Sequence, residues 1–241
     1  MSLWQRLCVA AIIGVSQVVQ AAQATPVVDT TPVGGSFATS EEVLALAQSV
    51  LASADQRGMP FAIVDKRAAV MVVFRKDGTS AGQTPVLLGM IPGDRSATGV
   101  GDRAQHGRLR PDDRTTPAGR FESEPGRNLA GEPIVWVDYG SALAIHRLRA
   151  GASRERRAQG IASKRALDRR LSDGCIVVPE AFYLGVVQAE LGHGRALVYV
   201  MPEERPWQAL WPELAAGGRV ERRYDGTVQA PIAMAAEAKA M

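Results

Sequence analysis

Apolar and polar positions follow two different periods along the chain, and the change of period separates a helix from a series of strands. Between residues 40 and 58, apolar positions recur every three or four residues, which predicts an amphipathic helix that begins at Ser40 and ends at Gly58. Its expected apolar face consists of Val43, Leu44, Ala47, Val50 and Leu51. From Phe61 onward, short apolar runs between turn residues predict strands instead.

The strand signals continue through most of the remaining chain. Two apolar runs flank Lys76-Asp77-Gly78-Thr79, and an Asp-Gly pair in this position is typical of a β-hairpin. The full set of predicted strands covers 61–65, 68–75, 83–89, 120–122, 134–138, 142–147 and 196–201. Pro179 and Glu180 favour the start of a helix that runs to Leu191 and ends at Gly192. We therefore expect a mainly β fold of the α+β class with a few flanking helices.

The first 24 residues have the features of a secretory signal. They carry a positive charge at Arg6, an apolar run over 7–15 and a small-x-small cleavage pattern at Ala22-Gln23-Ala24. A membrane anchor would need about 20 apolar residues, and polar residues interrupt this run from Ser16 onward. The sequence predicts a periplasmic or otherwise extracytoplasmic protein without a stable membrane anchor.

The remaining chain is long enough for one domain with a sizeable core. We expect a linker over 25–39, the N-terminal helix over 40–58, one main domain over 61–202 and a C-terminal extension over 203–241 whose end is disordered. Trp207, Leu210, Trp211 and Leu214 have helical spacing. They either cover part of the core or form an aromatic carbohydrate platform.

Cys175 is the only thiol that remains if the signal, which contains Cys8, is removed. An unpaired cysteine in an exported protein is either a reactive group or a buried hydrophobe. Gly174 directly before it favours a tight turn whose backbone N–H groups can hold an oxyanion. This context favours a nucleophile, and a cysteine nucleophile needs a base within hydrogen-bond reach.

The chain has three histidines that could supply this base. His106 and His193 lie in glycine-containing loops, whereas His146 ends an apolar run and is placed by a strand at the rim of the core. His146 is therefore the candidate general base. Scattered histidines and one thiol offer no zinc ligand set, so we expect neither a metal nor a cofactor.

Three short segments resemble, in order, the catalytic domain of the L,D-transpeptidase family. These segments are Thr115-Thr116-Pro117-Ala118-Gly119-Arg120-Phe121, the strand that ends at His146, and Ser172-Asp173-Gly174-Cys175 with Phe182-Tyr183 after it. The resemblance covers roughly residues 61–202 and implies a β-sandwich with flanking helices. It also implies that the Arg147 carbonyl orients His146, that the Gly174 N–H contributes to the oxyanion hole, and that Ser172 and Asp173 contact substrate.

The chain departs from the family pattern at three points. Asp173 stands where histidine is usual, Val177 stands where asparagine or arginine is expected, and 25 residues rather than a number in the teens separate His146 from Ser172. The carboxylate of Asp173 should disfavour a neighbouring thiolate. Val177 removes a polar contact to the donor peptide that the resemblance implies.

The resemblance implies a cysteine acyltransferase that acts on peptidoglycan stem peptides. Cys175 would form an acyl-enzyme from a stem tetrapeptide, and an amine would accept the acyl group to give a 3→3 cross-link or an attached protein. Two alternatives stay open. Water can resolve the same acyl-enzyme, which gives a carboxypeptidase or hydrolase, or the protein is a non-catalytic relative that binds stem peptides.

Two polar segments have no function assigned by the resemblance. Residues 91–115 form either a flap beside the site or a solvated loop. Residues 147–170 contain nine basic residues against Glu155 and Asp168, and they form either a lid that guides carboxylate-rich stem peptides or a solvated, partly helical loop. Nucleic acid is not an expected partner, because the run lacks interleaved aromatic residues and the protein is exported. The whole chain has 28 basic and 25 acidic residues, and this nearly even balance does not indicate a particular partner.

Overall fold

The computed structural model describes residues 39–149, 151 and 153–217. The predicted signal, residues 25–38 of the predicted linker and the end of the C-terminal extension lie outside the described residues. The strands are β1 (Phe61–Asp65), β2 (Val70–Phe74), β3 (Ser80–Pro85), β4 (Leu88–Gly89), β5 (Gly119–Arg127), β6 (Pro133–Asp138), β7 (Leu143–Arg147), β8 (Arg170–Ser172), β9 (Ile176–Val178) and β10 (Ala196–Val200). The α-helices are α1 (Glu41–Ala52), α2 (Val100–Gln105), α3 (Arg154–Ala162), α4 (Glu180–Phe182), α5 (Gln188–Leu191), α6 (Trp207–Leu210) and α7 (Pro212–Ala215).

Eight strands form one sheet in the order β3-β2-β1-β10-β5-β6-β7-β9, and β4 pairs separately with β8. The long strand β5 joins the two halves of this sheet, because residues 119–123 pair with β10 and residues 124–127 pair with β6. Buried side chains from both halves meet in one core, among them Val64 and Met71 from one half and Ile145 and Ile176 from the other. The sheet therefore folds over at β5. The predicted mainly β, α+β fold is confirmed.

The outer face of the first half-sheet is covered by α1, α6 and α7. Buried residues of β1, β2 and β10, including Phe61 and Tyr199, pack there against these helices. Trp207, Trp211 and Leu214 are 3%, 5% and 1% exposed. The prediction that they cover the core is confirmed, and the carbohydrate-platform interpretation is wrong because both indoles are buried.

The N-terminal helix begins as predicted and ends earlier. The Ser40 hydroxyl accepts the N–H of Val43 at 3.3 Å, which confirms the N-cap. The helix ends at Ala52 rather than at Gly58. Ser53 follows it, and its hydroxyl donates to the Ser49 carbonyl at 2.7 Å and so satisfies an acceptor of the last turn. The buried face includes Leu46, whereas Leu44 and Leu51 are only half-buried.

The hairpin and the later helix follow the sequence closely. Strands β2 and β3 are antiparallel, and the turn between them contains Gly78 at a φ of +85°. The segment from 180 to 191 is helical, with α4 and α5 joined by a π-helical turn over Tyr183–Val187. The predicted strand over 83–89 is divided between β3 and β4, since β4 leaves the hairpin to pair with β8.

Both polar segments contain buried structure, so neither is a fully solvated loop. In residues 91–115, Asp113 is 2% exposed and accepts a hydrogen bond of 2.8 Å from Arg103 Nε. In residues 147–170, Arg169 is 1% exposed and donates to the carbonyls of Ala68 at 2.9 Å and Ser163 at 2.5 Å. No helix in the described part of the chain is long and apolar enough to span a membrane.

Candidate active site

Strands β7 and β9 are parallel neighbours, and their register brings the predicted base and the predicted nucleophile onto adjacent strands. Ile145 pairs with Ile176 and His146 pairs with Val177. Ile145 and Ile176 point into the main core, so His146 and Val177 belong to the opposite face of the sheet. Cys175 directly precedes β9 and is two residues before Val177. It therefore lies one residue before a strand that runs beside the strand of His146.

The thiol of Cys175 lies against the beginning of β7. Its side chain is half-buried, and the thiol donates to the carbonyl of Ala142 at a distance of 3.4 Å. Burial raises the pKa of the thiol, and Asp173 adds to this increase, whereas the N–H of Ala144 lowers the pKa and favours the thiolate. Since burial is the largest effect, the resting group is the protonated thiol.

The ring of His146 is oriented by the neighbouring main chain. Its Nδ1 lies 2.8 Å from the carbonyl oxygen of Arg147, the contact that the family resemblance implied. A carbonyl only accepts hydrogen bonds, so Nδ1 carries the hydrogen and Nε2 has the free lone pair. Burial, followed by the charges of Arg149 and Arg157, lowers the pKa of His146 to about 4. At neutral pH the imidazole is therefore uncharged and able to accept a proton.

The turn before the thiol is held together by Ser172. This residue is 1% exposed, and its hydroxyl donates to the carbonyl of Cys175 at 2.6 Å and accepts the N–H of Gly174 at 3.3 Å. The structure thus places Ser172 beneath the turn, where its hydroxyl is used within the protein. A substrate contact by Ser172 stays a prediction, and its burial does not favour that role.

Gly174 has a conformation and a contact that another residue would not tolerate easily. Its φ is +122°, and an added Cβ would lie 3.2 Å from the carbonyl oxygen of Thr115. Its own carbonyl accepts the hydroxyl of Thr116 at 2.7 Å, and that hydroxyl accepts the N–H of Gly89 at 2.8 Å. Two segments of the family resemblance are therefore in direct contact. The N–H of Gly174 donates to the Ser172 hydroxyl at 3.3 Å, and its role as an oxyanion donor stays a prediction.

Asp173 lies at the surface of this turn. Its side chain is 51% exposed and forms an ion pair with Arg114, with 3.2 Å between Oδ1 and Nε. Its charge raises the pKa of Cys175, as the sequence predicted. A role for Asp173 in substrate binding stays a prediction.

Carboxylates hold the side chains of the arginines at the end of β7. Arg147 is 2.9 Å from Glu180 and 3.2 Å from Glu132, and Arg149 is 3.0 Å from Glu132. The guanidinium of Arg147 thereby ties β7 to the β5–β6 connection and to α4. Only the main-chain role of Arg147 was predicted from the sequence.

Val177 is packed rather than open to a peptide. It is 1% exposed and lies in a small apolar cluster with Leu87, Leu148 and Ile161. Ile161 belongs to α3, so the basic segment 147–170 folds against the face of β9 that carries Val177. The sequence did not identify Arg157 of α3 as a neighbour of the site, because the only signal was the charge of the whole run.

Comparisons with protein-family models, with curated proteins and with solved structures found no match to this chain. The resemblance to the L,D-transpeptidase domain therefore rests on the residues and the geometry described above. Among the described residues, no group of three or more His, Cys, Asp or Glu side chains is placed to hold a metal ion.

Proposed function

We propose that the protein is an exported peptidoglycan L,D-transpeptidase with Cys175 as nucleophile and His146 as general base. The observation that carries this proposal is the parallel register of β7 and β9, which pairs His146 with Val177, two residues after Cys175. The hydrogen bond from His146 Nδ1 to the Arg147 carbonyl supports it, because it leaves Nε2 unprotonated.

In the first step, Nε2 of His146 removes the thiol proton while Sγ attacks the carbonyl carbon of the third residue of a stem tetrapeptide. A carbon–sulfur bond forms, and the negative charge moves to the carbonyl oxygen. When this intermediate collapses, the bond to the nitrogen of the terminal D-alanine breaks. The proton held by His146 passes to that nitrogen, and the stem remains attached to Cys175 as a thioester.

In the second step, the amine of another stem peptide attacks the thioester carbonyl. His146 takes a proton from the attacking nitrogen, a carbon–nitrogen bond forms and the carbon–sulfur bond breaks. The proton then returns to the Cys175 sulfur, and a 3→3 cross-link has been made. With a protein amine as acceptor the same step attaches a protein, and with water it releases a tripeptide.

The pKa shifts of Cys175 and His146 bear on the first proton transfer. The pKa of Cys175 is raised and the pKa of His146 is about 4, so a thiolate–imidazolium pair is not the resting state. We therefore propose that proton transfer accompanies attack, with main-chain N–H groups at Gly174 and Cys175 as donors to the oxyanion. In well-studied hydrolases one such donor contributes about 10²- to 10³-fold to kcat.

Intact mass after incubation with a carbapenem tests the proposal. The wild-type protein should gain one covalent adduct, and Cys175→Ala should gain none. A stem tetrapeptide should then lose D-alanine and give a 3→3 dimer when an acceptor stem is present. Tripeptide without dimer would indicate a carboxypeptidase, and binding of the tetrapeptide without any adduct would indicate a non-catalytic relative.

A further inference from the structure

The basic segment contributes one arginine near the candidate site that forms no ion pair with a carboxylate of the described residues. The packing of α3 positions this residue. Ile161 lies against Val177, and Gly160 lies so close to Leu171 that an added Cβ would be 2.5 Å from its Cδ1. One face of α3 is therefore fixed against β8 and β9.

Arg157 lies on this fixed face. It is one helical turn before Ile161, and residues four positions apart share one side of a helix. From Arg154 to Gln159 it is the only half-buried residue, and its neighbours along the chain are exposed. Arg157 is thus half-buried on the side of α3 that packs against the strands, one turn from Ile161, which clusters with Val177.

The other arginines near the site differ from Arg157 in their partners. Arg147 and Arg149 are bound to Glu132, and Arg154 lies 3.9 Å from Glu180. Arg157 forms no ion pair or hydrogen bond with any side chain in the part of the chain that the structure describes. Its charge nevertheless reaches the site, because it lowers the pKa of both Cys175 and His146.

We propose that Arg157 is a specificity-determining residue that binds a substrate carboxylate beside the carbonyl attacked by Cys175. The proposal rests on the proposed function, which supplies the carboxylate. The terminal D-alanine of a stem tetrapeptide carries it one residue beyond the attacked carbonyl. The resemblance implied a polar contact to the donor peptide from the position of Val177, which is packed under α3. Arg157 provides a polar group from the helix that covers it.

Alkylation of Cys175 tests the local charge without requiring any enzymatic turnover. Iodoacetate carries a carboxylate and iodoacetamide is its neutral analogue, and both replace iodide by the cysteine sulfur. The readout is the ratio of the two second-order rate constants in the full-length mature protein at low salt. Arg157→Gln should lower this ratio by about fivefold, the effect of one unit charge at short range in a partly hydrated site.

Arg156→Gln is the matched control, because it removes the same charge from an exposed neighbour on α3. It should leave the ratio within about twofold of wild type. Thermal melting should show that both variants remain folded. Equal ratios in wild type and Arg157→Gln, equal losses in both variants, or a thiol that neither reagent reaches would each overturn the proposal.

A second measurement separates this proposal from the proposed function. Acylation by a stem tetrapeptide should be compared with acylation by the same peptide as its C-terminal amide. Arg157→Gln should raise KM for the acid about tenfold and leave KM for the amide unchanged. If wild type forms no acyl-enzyme but the alkylation ratio depends on Arg157, the proposed function fails and the carboxylate site stands. If wild type acylates and neither the ratio nor KM changes, only the carboxylate site fails.

Discussion

The hydroxyl of Ser172 donates a hydrogen bond of 2.6 Å to the main-chain carbonyl of Cys175, the residue that carries the candidate nucleophile. The same oxygen accepts the N–H of Gly174, so one buried side chain bonds the peptide groups on either side of the Gly174–Cys175 pair. The position of the thiol relative to β7 depends on this turn.

Replacement of Ser172 by alanine should therefore destabilise the protein. Two buried main-chain groups would lose their partner, which costs about 1 to 3 kcal/mol of the free energy of unfolding. Urea denaturation measures this loss. Ser49→Ala is the control, since Ser49 is half-buried in α1 and the expected change is within about 0.5 kcal/mol. Equal midpoints for the two variants would contradict the role of Ser172 in holding the turn.

Replacement of Gly174 by alanine should destabilise the protein at least as much as Ser172→Ala. The φ of +122° strains any residue with a Cβ, and the new methyl would also press on the Thr115 carbonyl. The expected loss is about 1 to 3 kcal/mol. Gly185→Ala offers a matched comparison, because Gly185 is helical and has no atom within 4 Å of an added Cβ. That variant should gain up to about 1 kcal/mol.

The burial of His146 predicts a specific loss of stability in acid. Its pKa is lowered from 6.5 to about 4, so the unfolded chain binds a proton that the folded protein resists. Above pH 6.5 the imidazole is neutral in both states and the free energy of unfolding is not reduced. As the pH falls toward 4, protonation of His146 in the unfolded chain lowers the free energy of unfolding, and this loss is the expected effect. It amounts to about 3 kcal/mol over this window.

Urea midpoints measured between pH 4 and 7 test this prediction. Wild type should lose stability steeply as the pH falls, and His146→Asn should lose less because asparagine does not titrate. Parallel curves for the two proteins would show that the imidazole is not held neutral by burial.

Removal of the charge at Asp173 should make the thiol more reactive. Asp173 raises the pKa of Cys175, so Asp173→Asn should increase the rate of alkylation by iodoacetamide at pH 7.5 about twofold. The effect is modest because the carboxylate is half-exposed and paired with Arg114. Glu213→Gln on α7 makes the same change of net charge away from the site and should leave the rate unchanged. A rate for Asp173→Asn equal to that of this control would contradict the predicted influence.

Local sequence signals predicted much of the strand framework. The hairpin around Gly78 could be predicted because the conformational requirement lies within four residues. The end of α1 could not, because Ser53 closes the helix through its side chain although no glycine or proline is present there. The burial of Arg169 was not predicted either. A basic residue in a charged run is typically solvated, and its burial depends on carbonyls that lie about 100 residues away in the chain.

The local elements that carry the candidate residues could be predicted from the sequence, whereas the side chains that hold these elements in place could not. The strand that ends in His146 and the turn before Cys175 both form, and the Nδ1 contact to Arg147 is present. The position of Ser172 beneath its own turn could not be read from a motif, because the motif does not show which way a hydroxyl points. The contact of Thr116 with Gly174 could not be predicted either, because it joins two segments that only the folded chain brings together.

The parallel pairing of β7 and β9 has a consequence for how such a protein can diverge. Two parallel neighbours cannot be joined by a tight turn, so a crossover must always separate the residues at their ends. Here that crossover is the segment that carries α3 and β8. The strands β7 and β9 themselves lie outside this crossover, so the sequence of α3 can vary while both strands keep their places as neighbours in the sheet.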